Sequence, residues 1–366
     1  MKHLYWFLVP AAIWMVACIK DAPLNPEADI LSFAYPAPLV RADADVENTR
    51  IVVYPNGNVD LLVEMYSLSL TPGATCEEIR KPEASDTLFF IKVCSENREN
   101  TKLYAIIQVP DTFPEVFTFE DWVPSGNEYL YENPMERTYL WSSSNIGAAL
   151  AFHDKQMSAE EYPVSKTLPG TFGNTTTAAQ LITIEGPGDI FGRDIPCLSA
   201  SVYLGKFDPL KAMINPLLST QFGVPFHWGK PKRLQGRFHY TEGGKVLGNN
   251  PEIRDSCDIY AVLFKPGESK ETLFLNGENI GNSPRRVARA GMRSGSTHDT
   301  EMIPFDIPFL YHDDDPVYLP FDGDDLKNNK YKITIVCASG YMGDYYQGRK
   351  GSCLIVDDIR IVYEQQ

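Results

Sequence analysis

Positive charge is in short supply in this 366-residue chain: 33 Lys and Arg stand against 48 Asp and Glu, a net charge of −15. A surface of that sign repels phosphate, which argues against a nucleic-acid partner. It also suits an acidic polysaccharide poorly, so neutral glycans or proteins are the easier partners. Seven cysteines are present, but no CxxC or Cys/His spacing, which leaves a zinc site without ligands. No GxSxG elbow, Gly-rich phosphate loop or HExxH appears. Past the first twenty residues no apolar run approaches the roughly 20 residues that a membrane helix needs.

One apolar run does occur, at the start. Lys2 and His3 precede Leu4 to Ala17, all apolar, and the run stops at Met15-Val16-Ala17-Cys18. Its length suits the core of a signal peptide and is short for a membrane span. The ending is similar to a bacterial lipobox, so residues 1–17 are expected to be removed and Cys18 to carry lipid. That makes the chain a membrane-anchored lipoprotein, periplasmic or on the cell surface at the outer membrane. The other reading is an ordinary secreted protein with an unmodified early cysteine. Residues 18–28 are polar and contain proline, a tether.

Behind the tether, aromatics reach 12%, with 27 prolines and 26 glycines, and short strand-like runs alternate with turn residues. This predicts an all-β chain of sandwich or barrel type. Arg50 to Tyr54 and Val59 to Met65 flank Pro55-Asn56-Gly57-Asn58 and read as a hairpin, with Val59, Leu61, Val63 and Met65 on one face. Leu88 to Cys94 and Leu103 to Val109 flank a second turn. These strands predict a small sandwich over residues 29–112. Beyond it, over 113–366, come strand candidates at Ala179 to Glu185, Ser199 to Phe207, Arg233 to Thr241, Asp258 to Phe264, Tyr331 to Ala338 and Cys353 to Tyr363. Asp208-Pro209 reads as a helix start. Long loops between antiparallel strands favour a jelly roll. Cys76 and Cys94 are either a disulfide or two thiols; Cys337 and Cys353 are in phase with apolar strand residues and read as core.

The second region resembles the putative carbohydrate metabolism domain family of bacterial lipoproteins. The resemblance rests on Phe119-Glu120-Asp121-Trp122, Trp141-Ser142-Ser143-Ser144-Asn145, Ala178-Ala179-Gln180-Leu181 and Leu204-Gly205-Lys206-Phe207. It continues through Gly223-Val224-Pro225-Phe226, Pro231-Lys232-Arg233-Leu234-Gln235-Gly236 and Gly351-Ser352-Cys353-Leu354-Ile355-Val356-Asp357-Asp358. In order, these cover roughly residues 115 to 363. The piece Leu70-Thr71-Pro72-Gly73-Ala74-Thr75 and the turn at Ser95-Glu96-Asn97 are similar to an immunoglobulin-like domain that often precedes it. The resemblance implies an immunoglobulin-like sandwich followed by a jelly roll akin to carbohydrate-binding modules, with no established activity.

Sugars are held by flat aromatic faces and by polar groups that meet hydroxyls. Trp228, in the loop-like His227-Trp228-Gly229, is the leading aromatic candidate. Trp141 is a second, although it also reads as packing. In Arg233 to Thr241, Leu234, Gly236, Phe238 and Tyr240 alternate with Arg233, Gln235, Arg237, His239 and Thr241. One face is predicted buried, and the other displays Arg233, Arg237 and His239 to a ligand or merely to solvent. Asp357 falls in phase with Ile355, Ile359 and Ile361, so its carboxylate needs a partner: a structural calcium, a neighbouring Arg, or backbone amides. No cofactor is otherwise required. Around Glu252-Ile253-Arg254-Asp255-Ser256-Cys257-Asp258 no spacing places an acid and a nucleophile on one strand face. The expected role is non-catalytic glycan binding; a glycoside hydrolase, a polysaccharide lyase and a structural adhesin are the alternatives.

Overall fold

The computed structural model describes residues 23–364, except 57–58, 81–86, 109–112, 126–127, 132–139, 191 and 270. Cys18, the segment before it, the Gly57-Asn58 turn and the expected boundary near 112 lie outside the described residues. Strands dominate, as the turn-rich composition predicts, and no described helix is long and apolar enough to cross a membrane.

Residues 28–106 form a first core. A five-stranded sheet runs in the order Val40–Val46, Arg50–Pro55, Thr101–Gln108, Thr87–Cys94, Thr75–Ile79, and a separate pair joins Ile30–Ala34 to Ser67–Leu70. Phe89, Ile91 and Val93 alternate inward to meet Ile30, Phe33 and Ile51. The expected hairpin of Leu88 to Cys94 with Leu103 to Val109 is present as Thr87–Cys94 paired antiparallel with Thr101–Gln108. The other expected hairpin is not. Arg50–Pro55 pairs instead with Val40–Val46 and, in parallel, with Thr101–Gln108. Leu61–Val63 is a single 3-10 turn, because Asp60 accepts the Leu62 N–H at 3.0 Å and so stabilises a helical start over an extended one. Only Leu61 is buried there; Val63 and Met65 are 71% and 85% exposed.

The second core lies between two antiparallel sheets. One runs Trp141–Ser143, Ser201–Phe207, Tyr331–Ala338, Cys257–Phe264, Arg286–Ser294, with Thr220–Phe222 and Val224–Phe226 as side branches. The other runs Val164–Lys166, Ala179–Ile182, Cys353–Tyr363, Pro231–Thr241, Ile303–Pro308. Val202, Leu204, Ile259, Leu263, Ile333 and Ile335 from the first meet Leu181, Leu234, Phe238, Tyr240, Leu354 and Ile361 from the second. This is the two-sheet sandwich that the alternating patterns predict. Asp208 caps Pro209–Ile214 through the Leu210 and Lys211 amides, as expected.

Register decides one open sequence reading and corrects another. Thr75 pairs with Cys94, and Cys76 with Val93. The two cysteines are therefore offset by one residue and point to opposite sides of the sheet; all six described cysteines are free thiols. In Cys353–Tyr363 the pairing advances from Asp357↔Arg237 to Arg360↔Gln235, three residues against two, which is a β-bulge. Asp358 takes the extra position at φ +53°. The bulge reverses the side-chain phase. Leu354 and Val356 face the core before it and Ile359 and Ile361 after it, while Ile355 turns away to Ala178 and Met302. Asp357 does not share a face with Ile359 and Ile361.

Gly205 (φ +147°) lies where Ser201–Phe207 touches three neighbouring strands, and a Cβ there would overlap the Gln221 carbonyl oxygen. Gly205→Ala is expected to lower unfolding free energy by at least about 2 kcal/mol. An unchanged urea midpoint would show that the backbones do not approach so closely.

Candidate functional site

On the outer face of Pro231–Thr241 the polar side chains are half-exposed and pair with neighbours, and His239 alone is covered. Leu234, Gly236, Phe238 and Tyr240 are buried as predicted. On the other side Arg233 bonds Asp306, Gln235 accepts from Arg360 at 3.0 Å, and Arg237 lies 3.8 Å from Asp358. His239 is not displayed: it is 5% exposed, stacked under Phe172 at 3.6 Å between ring centroids, with Nε2 3.2 Å from the Asp299 carbonyl. Phe172 reaches it by adopting φ +47°, a local feature that strand periodicity does not contain.

Trp228 is partly buried at the joint between the two cores. It packs on Phe113 and Phe226, His227 stacks on it at 4.2 Å, and the Arg41 guanidinium lies 5.6 Å over its ring. Arg41 belongs to the first sheet and also donates to the Pro55 carbonyl at 2.6 Å. Trp141 is 8% exposed, edge-on to Phe117 in the core.

Asp357 is 2% exposed and accepts from Asn174 Nδ2 and the Asp358 amide, both at 2.8 Å. Burial pushes its pKa up to about 7, against the opposing pull of the Asn174 bond. Its partners are thus an amide side chain and a backbone N–H. Among the described residues no group of three or more His, Cys, Asp or Glu side chains could hold a metal ion.

A cavity of about 390 Å³ opens instead on the outer face of the seven-stranded sheet, a volume suited to a small ligand. Its floor follows from strand register. Ser201, Ala338 and Asp258 stand in one row across three strands, and Tyr203, Val336 and Tyr260 in the next. The walls are the helix Asn145–Ala151, the hairpin of Ile184–Ile190 with Arg193–Leu198, the short helices Pro209–Ile214 and Pro216–Ser219, and the loop 339–346.

Two carboxylates meet in this cavity. Asp258 is 3.3 Å from the Arg293 guanidinium, which lies 4.3 Å over the Tyr341 ring. Asp344 keeps much of its surface open, but it opens into the concavity with protein packed around it. Desolvation there, and secondly the charge of Asp258, raise its pKa. Arg193 donates to the Ile214 carbonyl at 3.2 Å and sits beside Tyr346. Ser199 Oγ and Tyr203 Oη are buried at the cavity without a well-formed hydrogen bond; Ser142 and Thr220 are the polar neighbours of the Tyr203 hydroxyl.

A sequence profile of the putative carbohydrate metabolism domain matches residues 118–362. The chain belongs to that family. The whole chain is also similar to a crystal structure described as a putative glycoside hydrolase from Bacteroides thetaiotaomicron. The TM-score is 0.77 at 26% identity, covering 95% of this chain and 99% of that one. A second, described as a putative glycoside hydrolase from Bacteroides vulgatus, aligns at TM-score 0.57 and 28% identity over 69% of this chain and 98% of that one. No curated protein matches significantly. In this family member the aromatic and basic residues that sequence singled out are packing and ion-pair groups. Asp258 and Asp344, which line the cavity, were beyond sequence spacing because they come from distant segments.

Asp357 gives a pH test. Its pKa is raised in the fold, so the folded state holds the proton more tightly than the unfolded chain. Stability from this group is fully present below about pH 4, is lost as pH climbs to about 7, and is level above that. Asp357→Asn removes the fall. The variant's unfolding free energy relative to wild type should be higher at pH 8 than at pH 4.5, by at most roughly 4 kcal/mol. Urea titrations at the two pH values check this, and parallel pH profiles would refute it.

Proposed function

We infer that the cavity binds carbohydrate, and that the chain does so as an extracytoplasmic lipoprotein tethered through Cys18 without turning its ligand over. The observation that supports it is the pairing of Asp258 and Asp344 with Tyr260 and Tyr341 in one concave site. Carboxylates accept hydrogen bonds from hydroxyls, and tyrosine rings cover the C–H faces of sugars. Membership in a carbohydrate-related family, and neighbours described as glycoside hydrolases, point to the same ligand class.

Hydrolysis is a second reading, favoured by one observation: a carboxyl with raised pKa beside a second carboxylate is the arrangement of an acid and its partner. Binding is preferred because Arg293 compensates the charge of Asp258. A compensated carboxylate suits hydroxyl recognition better than nucleophilic attack.

Calorimetry against a panel of neutral oligosaccharides tests binding. Asp344→Asn and Tyr341→Ala should each weaken it at least about tenfold, near 1.4 kcal/mol, whereas Arg237→Ala, on the other sheet, should leave it unchanged. The reverse pattern would move the site to the five-stranded sheet. Release of reducing sugar that disappears in Asp344→Asn would establish the hydrolytic reading instead. For the anchor, Cys18→Ser should shift the protein from the membrane to the soluble fraction; retention in the membrane would end that part of the proposal.

A further inference from the structure

One carboxylate in the cavity has no partner. Asp258 stands on the floor, in the row that it shares with Ser201 and Ala338, and Arg293 pairs with it at 3.3 Å. Asp344 enters the same space from the loop 339–346. Among the described residues nothing donates a hydrogen bond to the Asp344 carboxylate or forms an ion pair with it. The charge that acts on it is that of Asp258, of like sign. Arg193, a basic residue of the cavity lining, is engaged elsewhere: it donates to the Ile214 carbonyl at 3.2 Å and lies beside Tyr346.

In the open cavity water can solvate Asp344, whose surface faces the concavity. A ligand that fills the cavity expels that water. A carboxylate stripped of water without a counter-charge is costly, and a like charge beside it adds to the cost. Sugar hydroxyls donate hydrogen bonds to a carboxylate but bring no charge. An ammonium supplies both the N–H donors and the opposite charge. The chain as a whole favours its approach, because a net charge of −15 draws cations and repels anions.

We propose that the ligand is a glycan bearing a free amino group, its ammonium seated at Asp344 beside Asp258. This rests on the carbohydrate reading of the same cavity and narrows it to amino sugars that are not acetylated. Acetylation of the nitrogen removes the charge, so the amide should bind no better than the parent sugar.

Methyl glycosides of glucosamine, N-acetylglucosamine and glucose, with the corresponding galactose set, differ in a single substituent and test it. They are titrated calorimetrically into the protein at about pH 6.5, where a primary amine keeps its proton. The amino form of at least one set should bind at least about tenfold more tightly than both neutral forms, near 1.4 kcal/mol. Asp344→Asn, at an exposed loop position, keeps the shape and drops the charge, and should bring that ratio toward one. Equal or weaker binding of the amino forms overturns the ammonium site and leaves carbohydrate binding standing. A preference undiminished in Asp344→Asn overturns it too, since the net charge of the chain would then suffice. Ethanolamine binding as tightly as the glucosamine glycoside overturns the carbohydrate reading, and this inference with it. If none of the glycosides binds, both are overturned.

Discussion

The seven-stranded sheet is covered on both faces, and the position of the cavity follows from that. An antiparallel sheet commonly leaves one face to water and reads as alternating apolar and polar residues. Cys257–Phe264 and Tyr331–Ala338 do not alternate in this way. Ile259, Leu263, Ile333 and Ile335 face the second sheet, while Val262, Phe264 and Val336 face outward into a further cluster with Phe222, Leu275 and Ile280. At roughly 1.5–3 kcal/mol for each large side chain removed from water, two such layers outweigh any single surface contact. The outer layer is incomplete at the Ser201 end. There the sheet becomes the floor of a cavity, and the polar members Asp258 and Tyr260 take the place of aliphatic ones.

The same burial explains why the amino-terminal unit is joined so firmly. Tyr54 packs into the core of the second unit, and its hydroxyl donates to Asp45 at 2.8 Å, which also meets Lys206 at 3.1 Å. Burial works against the ionised form of Asp45, but Lys332 and Lys206 outweigh it and hold the carboxyl below its usual range. Lys332 itself is pushed down to about 8 by its burial. Arg41 sandwiched between Tyr54 and Trp228 completes the contact. Aromatic residues and arginine are the usual anchors of such interfaces, so a loop tryptophan beside a strand suits a joint between units as well as a sugar platform.

Much of the fold could be read in the sequence because burial imposes a period of two. Leu234, Phe238 and Tyr240 are inside where alternation puts them, and Tyr331–Ala338 and Cys353–Tyr363 have the expected bounds. Alternation fails where one residue is added or a polar side chain takes over the backbone. The bulge at Asp358 shifts the phase of the last strand, and the Asp60 cap turns Leu61–Val63 out of an extended path. His239 shows a third limit: its face is polar in pattern but roofed by Phe172, which belongs to a loop more than sixty residues earlier. The cavity was least visible. Asp258 reads as one more polar strand residue and Asp344 as one more acidic loop residue until the register of three strands brings the loop over the sheet.

That loop is held at some conformational expense. Tyr346 closes the Gly343–Tyr345 turn at φ +54°, a region that non-glycine residues seldom occupy. Gly340 and Gly343 press so closely on Ser199 that a side chain at either would collide with it. The strain and the close contact act together to place Asp344 above Asp258, in a setting where burial and a like charge both disfavour its ionised form. Strain of this kind persists where the surrounding structure over-determines it, and such places are disproportionately ligand sites. The backbone of loop 339–346 therefore points to the cavity independently of its volume, and it does so through residues that carry no sugar-binding signature of their own.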